Sequence, residues 1–359
     1  MPMLAELIDA VVGVDTHRDT HEVELALPTG TAIGTRKISN DNSGFAELLA
    51  WILDHAPGPR VVVSIEGTRS FGVGLARAVA AAGLTVIECE QPNRKARRGK
   101  GKSDPIDAHL AVLAALRLDA DRLPVPRADG DREALRILLG TRHELTVVTT
   151  AQTNRLRALL LGGGDSERDL ARATLIDPVL LAMVRRREPP QASREQAVRH
   201  GEIRRLAHAL RAGRHALRAN RAQLQTIVEE MAPGLTQRRG IGAVTAAQAI
   251  VSFSHPGRCR NDAAFAALSG TSPLPASSGR TVRHRLNRGG DRALNRAIHT
   301  IATVRMRDCP ATQAYIARRT AEGKTIREIK RCLKRYIARQ LYRALTTAMN
   351  INNSKAPAA

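Results

Sequence analysis

The stretch RVVVSIEGT, residues 60–68, decides how the N-terminal third of the chain folds. Val61, Val62, Val63 and Ile65 form an apolar, β-branched run with only Ser64 inside it. A run of that kind reads as a strand covered on both faces, the situation of a parallel sheet with helices above and below. It stops at Glu66, so a carboxylate stands at the strand's C-terminal end.

The flanking segments extend this strand into a domain. Upstream, VVGVDTH (11–17) is a strand carrying Asp15 near its end, and HEVELAL (21–27) alternates Val23, Leu25 and Leu27. A Pro-Thr-Gly turn leads into a third strand, TAIGTRKI (31–38), and SGFAELLAWILDH (43–55) has helical spacing with Ser43 as its N-cap. Downstream, SFGVGLARAVAAAG (70–83) is a helix closed by Gly83, LTVIECE (84–90) a further strand, and DPIDAHLAVLAALRL (104–118) a helix. The expected order is β-β-β-α-β-α-β-α. Three antiparallel strands followed by alternating units is the order of the ribonuclease-H-like fold.

Composition narrows the partner. Among 359 residues, 56 Lys and Arg face 34 Asp and Glu, a formal net charge of +22. An excess of that size points to a polyanion, because Lys and Arg neutralise phosphates and release counterions. Aromatic residues make up only 2% of the chain, which disfavours modules that stack bases on Phe, Tyr or Trp. Phosphate and duplex shape are the better targets. The four cysteines (Cys89, Cys259, Cys309, Cys332) are scattered, with no C-x-x-C pair, so neither a zinc knuckle nor a disulfide framework is expected. No basic leader and no apolar run of membrane-spanning length stand out, and a cytoplasmic location is the expectation.

The segment DRLPVPRADGD (121–131) reads as a linker. Four regions are expected: a catalytic α/β domain over 8–122, a helical or coiled-coil region over 123–232, a mostly helical domain over 233–349, and a disordered tail over 350–359. In the second, Leu206, Leu210, Leu217, Leu224 and Val228 recur at helical spacing, and LLLGGGDSERDL (159–170) fits a turn between two long helices. In the third, GIGAVTAA (240–247) resembles the second half of a helix-hairpin-helix, whose Gly240 and Gly242 would present backbone N–H groups to a phosphate. A plain tight turn between helices has the same spacing. The last helix opens with a capping-box pair, Thr325 and Glu328. It sets an apolar stripe (Ile326, Ile329, Leu333, Ile337, Leu341), expected to face the core, beside a basic side of Arg327, Lys330, Arg331, Lys334 and Arg335, expected to contact phosphates.

Two nucleotide-loop patterns fail. GKS at 101–103 would need glycine at 96, which is Ala96, and both GVGLAR (72–77) and GIGAVT (240–245) lack the third glycine of G-x-G-x-x-G. His17, His21 and Glu22 lie along a hairpin and receive no role. Asp15, Glu66, Asp104 and Asp107 are more informative, because the inferred fold brings all four places to one edge of the sheet. Four carboxylates there would repel one another without divalent cations between them, and two Mg²⁺ ions could support phosphodiester chemistry. Each residue also has an ordinary reading: Asp104-Pro105-x-Asp107, for one, is a sound helix start.

GVDTH (13–17), IEGT (65–68) and KSDPIDAHLAVLA (102–114) stand in order with GIGAVTAA, SSGR (277–280), RGGDRALNRA (288–297) and EGKTIREIKRCLKRYIAR (322–339). This series resembles the DEDD transposases of bacterial insertion sequences, the bridge-RNA-guided serine recombinases with a RuvC-like domain. The resemblance implies an N-terminal RuvC-like domain, a helical middle and a helical C-terminal transposase domain. It implies that Asp15, Glu66, Asp104 and Asp107 bind Mg²⁺. It also implies a nucleophilic serine in the Ser-Gly motif, here Ser278 with Ser277 in reserve. Arg280, Arg283, Arg285 and Arg288 would hold the scissile phosphate and its neighbours, and Lys100 and Lys102 are further candidate phosphate contacts. The implied partners are donor and target DNA, a structured guide RNA, and a homodimer that assembles into a tetramer. Arg239 departs from the family, which commonly has proline before the Gly-Ile-Gly turn. The rival readings are a RuvC-like endonuclease that uses water, and a non-catalytic helix-hairpin-helix DNA binder.

Overall fold

The computed structural model describes residues 2–89, 104–187, 190–275, 284–285 and 287–355. Its first part contains β1 (Ala10–Thr16), β2 (Thr20–Ala26), β3 (Ala32–Ser39), α1 (Asn42–His55), β4 (Val61–Glu66), α2 (Val73–Ala81), β5 (Thr85–Cys89) and α3 (Asp104–Leu116). The strands form one sheet in the order β3-β2-β1-β4-β5, with β1, β2 and β3 antiparallel and β4 and β5 parallel to β1. This is the ribonuclease-H-like arrangement. β1 holds the middle place, and β4 lies beside it with all six residues buried.

Period-2 alternation divides the core into two layers. Val12, Val14, Val23, Leu25, Val63 and Ile65 pack with Phe45, Leu48, Trp51 and Ile52 of α1 and Leu75 and Val79 of α2. Val11, Ala26, Val62 and Ile87 pack on the opposite face with Val112, Ala115 and Leu116 of α3. The sequence places the cap of α1 two residues too late. Asp41, not Ser43, is the N-cap, and its carboxylate accepts from Gly44 N–H at 2.9 Å.

The rest of the described chain is almost wholly helical. α4 (Gly130–Leu161) is followed by α5 (Asp165–Arg172), α6 (Asp177–Arg185), α7 (Arg194–Met231), α8 (Ala243–Phe253) and α9 (Asp262–Leu268). A two-residue ladder joins β6 (Leu274–Pro275) to β7 (His284–Arg285), and α10 (Arg292–Asp308), α11 (Pro310–Ala321) and α12 (Ile326–Lys355) complete the order. The expected simple turn between two long helices therefore contains α5 and α6. They bury Ala171, Leu175, Leu180 and Met183 against Leu156, Leu160, Ile203, Leu206 and Leu210 of α4 and α7. The sequence hides them because each is shorter than the window in which helical period can be counted.

α12 opens on the Thr325–Glu328 box, with Glu328 Oε2 accepting from Thr325 N–H at 2.9 Å. Ile329, Leu333, Ile337 and Leu341 are buried, but Ile326 is 50% exposed. Periodicity identifies the face of a helix, not how far along it the covering surface extends. The helix continues to Lys355, past residue 350 where a tail is expected.

Packing groups the chain into two units, one of 1–133, 252–291 and 335–359 and one of 134–251 and 292–334. In the first, a ring cluster of Phe253, Phe265 and Tyr342 holds the C-terminal segments together, and Tyr342 Oη donates to the Cys259 carbonyl at 3.1 Å. In the second, Asn220 Nδ2 donates to the Leu138 carbonyl at 2.9 Å and Arg142 to the Leu217 carbonyl at 3.2 Å, tying α4 to α7 along their length. None of the four cysteines is in a disulfide. Among the described residues no helix is long and apolar enough to cross a membrane.

Candidate active site

Register and alternation place the carboxylates. β1 pairs in parallel with β4 as far as Val14 with Ile65, so Asp15 and Glu66 are the next residues on adjoining strands. Val11 and Val62 contact α3 while Val12 and Val63 contact the other layer. Alternation therefore carries Gly13 and Asp15, and Ser64 and Glu66, to the α3 face. Asp107 lies on the first turns of α3, on the stripe Asp107, Ala108, Ala111, Val112 and Ala115 that is buried against the sheet. Asp104 opens the same helix one turn earlier.

Two contacts fix α3 over the sheet. A Cβ at Gly13 would collide with the Ala108 carbonyl oxygen and come within 2.8 Å of Val112, so only glycine allows this approach. Ser64 Oγ donates to the Ala111 carbonyl at 3.0 Å. At the helix flank, His109 Nδ1 lies 2.6 Å from Glu24 Oε1 on β2. The height, slide and rotation of α3 are thus set by three strands.

Asp15, Glu66 and Asp107 keep only 7%, 8% and 7% of their exposure, which is costly for carboxylates without counter-charge. Also on this face, Lys37 Nζ is 2.9 Å from Glu22 Oε1, and His109 meets Glu24. His17 Nε2 lies 3.3 Å from Asp15 Oδ2. Glu66 Oε2 is buried and has no hydrogen-bond partner among the described residues. An orphaned carboxylate oxygen of this kind fits a cation, and hard oxygen donors suit Mg²⁺. Among the described residues no three His, Cys, Asp or Glu side chains stand close enough to enclose an ion.

The sequence left the hairpin residues without a role, and the structure separates them. His17 approaches Asp15, and Glu22 is the antiparallel partner of Asp15. His21 is buried in the other layer, where its ring stacks on Phe45 at 6.1 Å. The contact of His109 escapes sequence reasoning because Glu24 lies 85 residues away, whereas His17 stands two residues from Asp15, at the period of a strand.

The candidate nucleic-acid contacts are spread along the chain. Gly240 has φ +80° in the turn before α8, and Gly242 N–H donates to Thr245 Oγ1 at 3.1 Å. This turn opens on a cavity of about 430 Å³ that Arg142, Arg221, Arg238 and Arg239 also line. Arg285, Arg288 and Arg331 are exposed, whereas Lys330, Lys334 and Arg335 are half-buried. Arg335 donates to Ser272 Oγ at 2.9 Å, so the structure gives it a local partner. Lys100, Lys102, Ser277, Ser278, Arg280 and Arg283 lie outside the described residues.

Residues 12–163, which carry all four carboxylates, match a family model described as a transposase, that of the IS110-type DEDD enzymes. Residues 232–317, which carry the Gly-Ile-Gly turn and both serines, match the model described as transposase, IS116/IS110/IS902 family. The sequence is 25% identical to the uncharacterized 43.6 kDa protein of insertion element IS110 from Streptomyces coelicolor, over 89% of this chain and 90% of that one. With one model on the sheet domain and the other on the helical C-terminal part, in family order, the chain belongs to the IS110-family DEDD transposases, enzymes that act on the phosphodiester bonds of DNA.

Proposed function

We propose that this transposase cuts and rejoins DNA through a covalent phosphoserine link, with Ser278 as nucleophile and Ser277 in reserve. Asp15, Glu66, Asp104 and Asp107 would hold two Mg²⁺ ions, which when bound ease deprotonation of an attacking hydroxyl and stabilise the leaving oxygen. The observation that carries the reading is Glu66: a buried, partnerless carboxylate oxygen beside Asp15 and under the helix that bears Asp107.

The serine Oγ forms a bond to phosphorus as the strand's own P–O bond breaks, and the departing oxygen takes up a proton. Attack on that phosphoserine by a hydroxyl of another DNA end frees the serine and joins the new strand. Bond number is conserved, so no ATP is required, in keeping with the missing nucleotide loops. A guide RNA that pairs with donor and target DNA would supply sequence choice. That division of labour suits a chain rich in arginine and poor in aromatics. A homodimer assembling into a tetramer is the expected working form.

Incubating the protein with its element's DNA, co-purified RNA and Mg²⁺ tests this reading. A protein–DNA adduct should form, persist in Ser277→Ala and vanish in Ser278→Ala. Asp107→Asn should melt within a few degrees of the parent and give no cleavage. Continued cutting without an adduct in Ser278→Ala would establish water as the nucleophile and defeat the proposal. Cleavage retained in Asp107→Asn would remove the carboxylate site from the reaction.

A further inference from the structure

The helical second unit carries a basic patch whose members come from the two ends of its 292–334 segment. On α10, Arg292 and His299 are seven residues apart, two turns along one face. On α12, Lys330 and Lys334 are one turn apart, beside the buried stripe of Ile329 and Leu333. Lys334 Nζ donates to Asn295 Oδ1 at 2.6 Å, which holds the ammonium against α10 between the two.

These basic groups crowd one another. Burial, followed by the charges of Arg292 and Lys330, holds the Lys334 ammonium below its ordinary range. Burial, followed by the charges of Lys334 and Lys330, does the same to His299. Among the described residues no carboxylate relieves either group. The two acids nearest in sequence have other partners: Asp291 Oδ2 accepts from Ser252 Oγ at 2.6 Å, and Glu328 is held by Thr325.

Ordinary surface lysines spread apart into water. Holding three cations together beside a histidine, with Lys334 half-buried and hydrogen-bonded, costs free energy that a string of anions would offset. We propose that Arg292, His299, Lys330 and Lys334 grip consecutive phosphates of a nucleic-acid backbone without reading its sequence. This rests on the reading that the transposase handles DNA and a guide RNA. The phosphodiester chemistry is common to both, and the experiment separates them.

Full-length protein is titrated by fluorescence anisotropy with a duplex DNA of about 30 base pairs and, separately, an RNA hairpin of similar length, from about 50 to 300 mM salt. The Lys330→Gln/Lys334→Gln variant should bind the gripped backbone about tenfold or more weakly near 100 mM salt, with a slope of log K against log salt shallower by about 2. The loss should be the same for unrelated sequences. Loss with DNA alone, RNA alone or both identifies the strand held. His299→Gln, at an exposed position, should give a smaller loss and guards against a folding defect in the double variant. As a control, Arg168→Gln/Arg172→Gln removes two cations already paired with Asp165 and Asp169 on α5. An equal loss in that control would reduce the effect to net charge and overturn the proposal. Parent-like binding by all the patch variants, with the parent binding normally, overturns it alone. A parent that binds neither ligand overturns it together with the nucleic-acid reading.

Discussion

At Gly13, a single added carbon would meet the Ala108 carbonyl oxygen, so the closest approach of α3 to the sheet depends on a hydrogen in place of a methyl group. The position lies two residues before Asp15 on the same strand and face. Gly13→Ala must therefore lift or slide α3, and with it Asp107, relative to Asp15 and Glu66. Overpacking of this kind typically costs about 1–3 kcal/mol. We expect a lowered melting temperature in a protein that still folds, and a loss of DNA cleavage much larger than stability explains. A variant with full cleavage would show that the spacing of helix and sheet is not critical. The sequence GVD suggests a strand and a candidate carboxylate but does not reveal this role, because the atom that requires glycine is almost a hundred residues away. The same holds for Glu66. Its position at the strand end is legible, whereas its orphaned Oε2 is a property of the packed site.

Elements were more legible than their attachments. The β-β-β-α-β-α-β-α order follows from period, from Gly83 as a stop, and from the uninterrupted apolar run at β4. What period cannot supply is the slide and rotation of one element on another. For α3 these are set by Ser64 donating to the Ala111 carbonyl and by Glu24 meeting His109. Both side chains come from strands and act on the helix that bears Asp107. Ser64→Ala removes a buried hydrogen bond and should cost about 1 kcal/mol, and Glu24→Gln keeps the shape while weakening the grip on His109. Neither residue is among the proposed ligands, so protein-level metal binding separates positioning from general damage. The double variant should need several-fold more Mn²⁺ to reach half-maximal thermal stabilisation, with Glu24→Asp recovering part of the difference. An unchanged Mn²⁺ midpoint in the double variant would confine these contacts to stability.

Across the first unit, segments far apart in sequence converge on one buried ionic cluster. Glu88 is the penultimate residue of β5, Arg127 and Arg132 flank the start of α4, and His255 and Arg258 follow α8. Arg127 Nε donates to Glu88 Oε2 at 2.7 Å, Arg132 to the Arg127 carbonyl, and Arg258 to the Ser252 carbonyl. A cavity of about 290 Å³ lies among Glu88, Arg127, His255 and Arg258. No local pattern announces such a cluster, which explains why the sequence yields the segments without their assembly. Burial, then the charges of Arg258 and Arg127, lower the His255 pKa to about 4, with Glu88 opposing and Arg132 adding to the effect. The folded protein thus keeps this imidazole neutral at a pH where the unfolded chain protonates it. Between pH 6.5 and about 4 the unfolded state binds more protons, and stability falls as pH falls, with a ceiling of about 3 kcal/mol. Burial lowers His21 as well, so the parent's slope is a sum. Glu88 lies in a different window. Burial raises its carboxyl, but the bond and charge of Arg127 outweigh this and leave it below its ordinary 4.5, so its contribution is lost only in stronger acid. Urea unfolding of the parent should therefore show a midpoint that drops from pH 7.5 to pH 5, and His255→Gln should flatten part of that drop. Equal slopes in the two proteins would show that His255 is protonated as readily when folded as when unfolded.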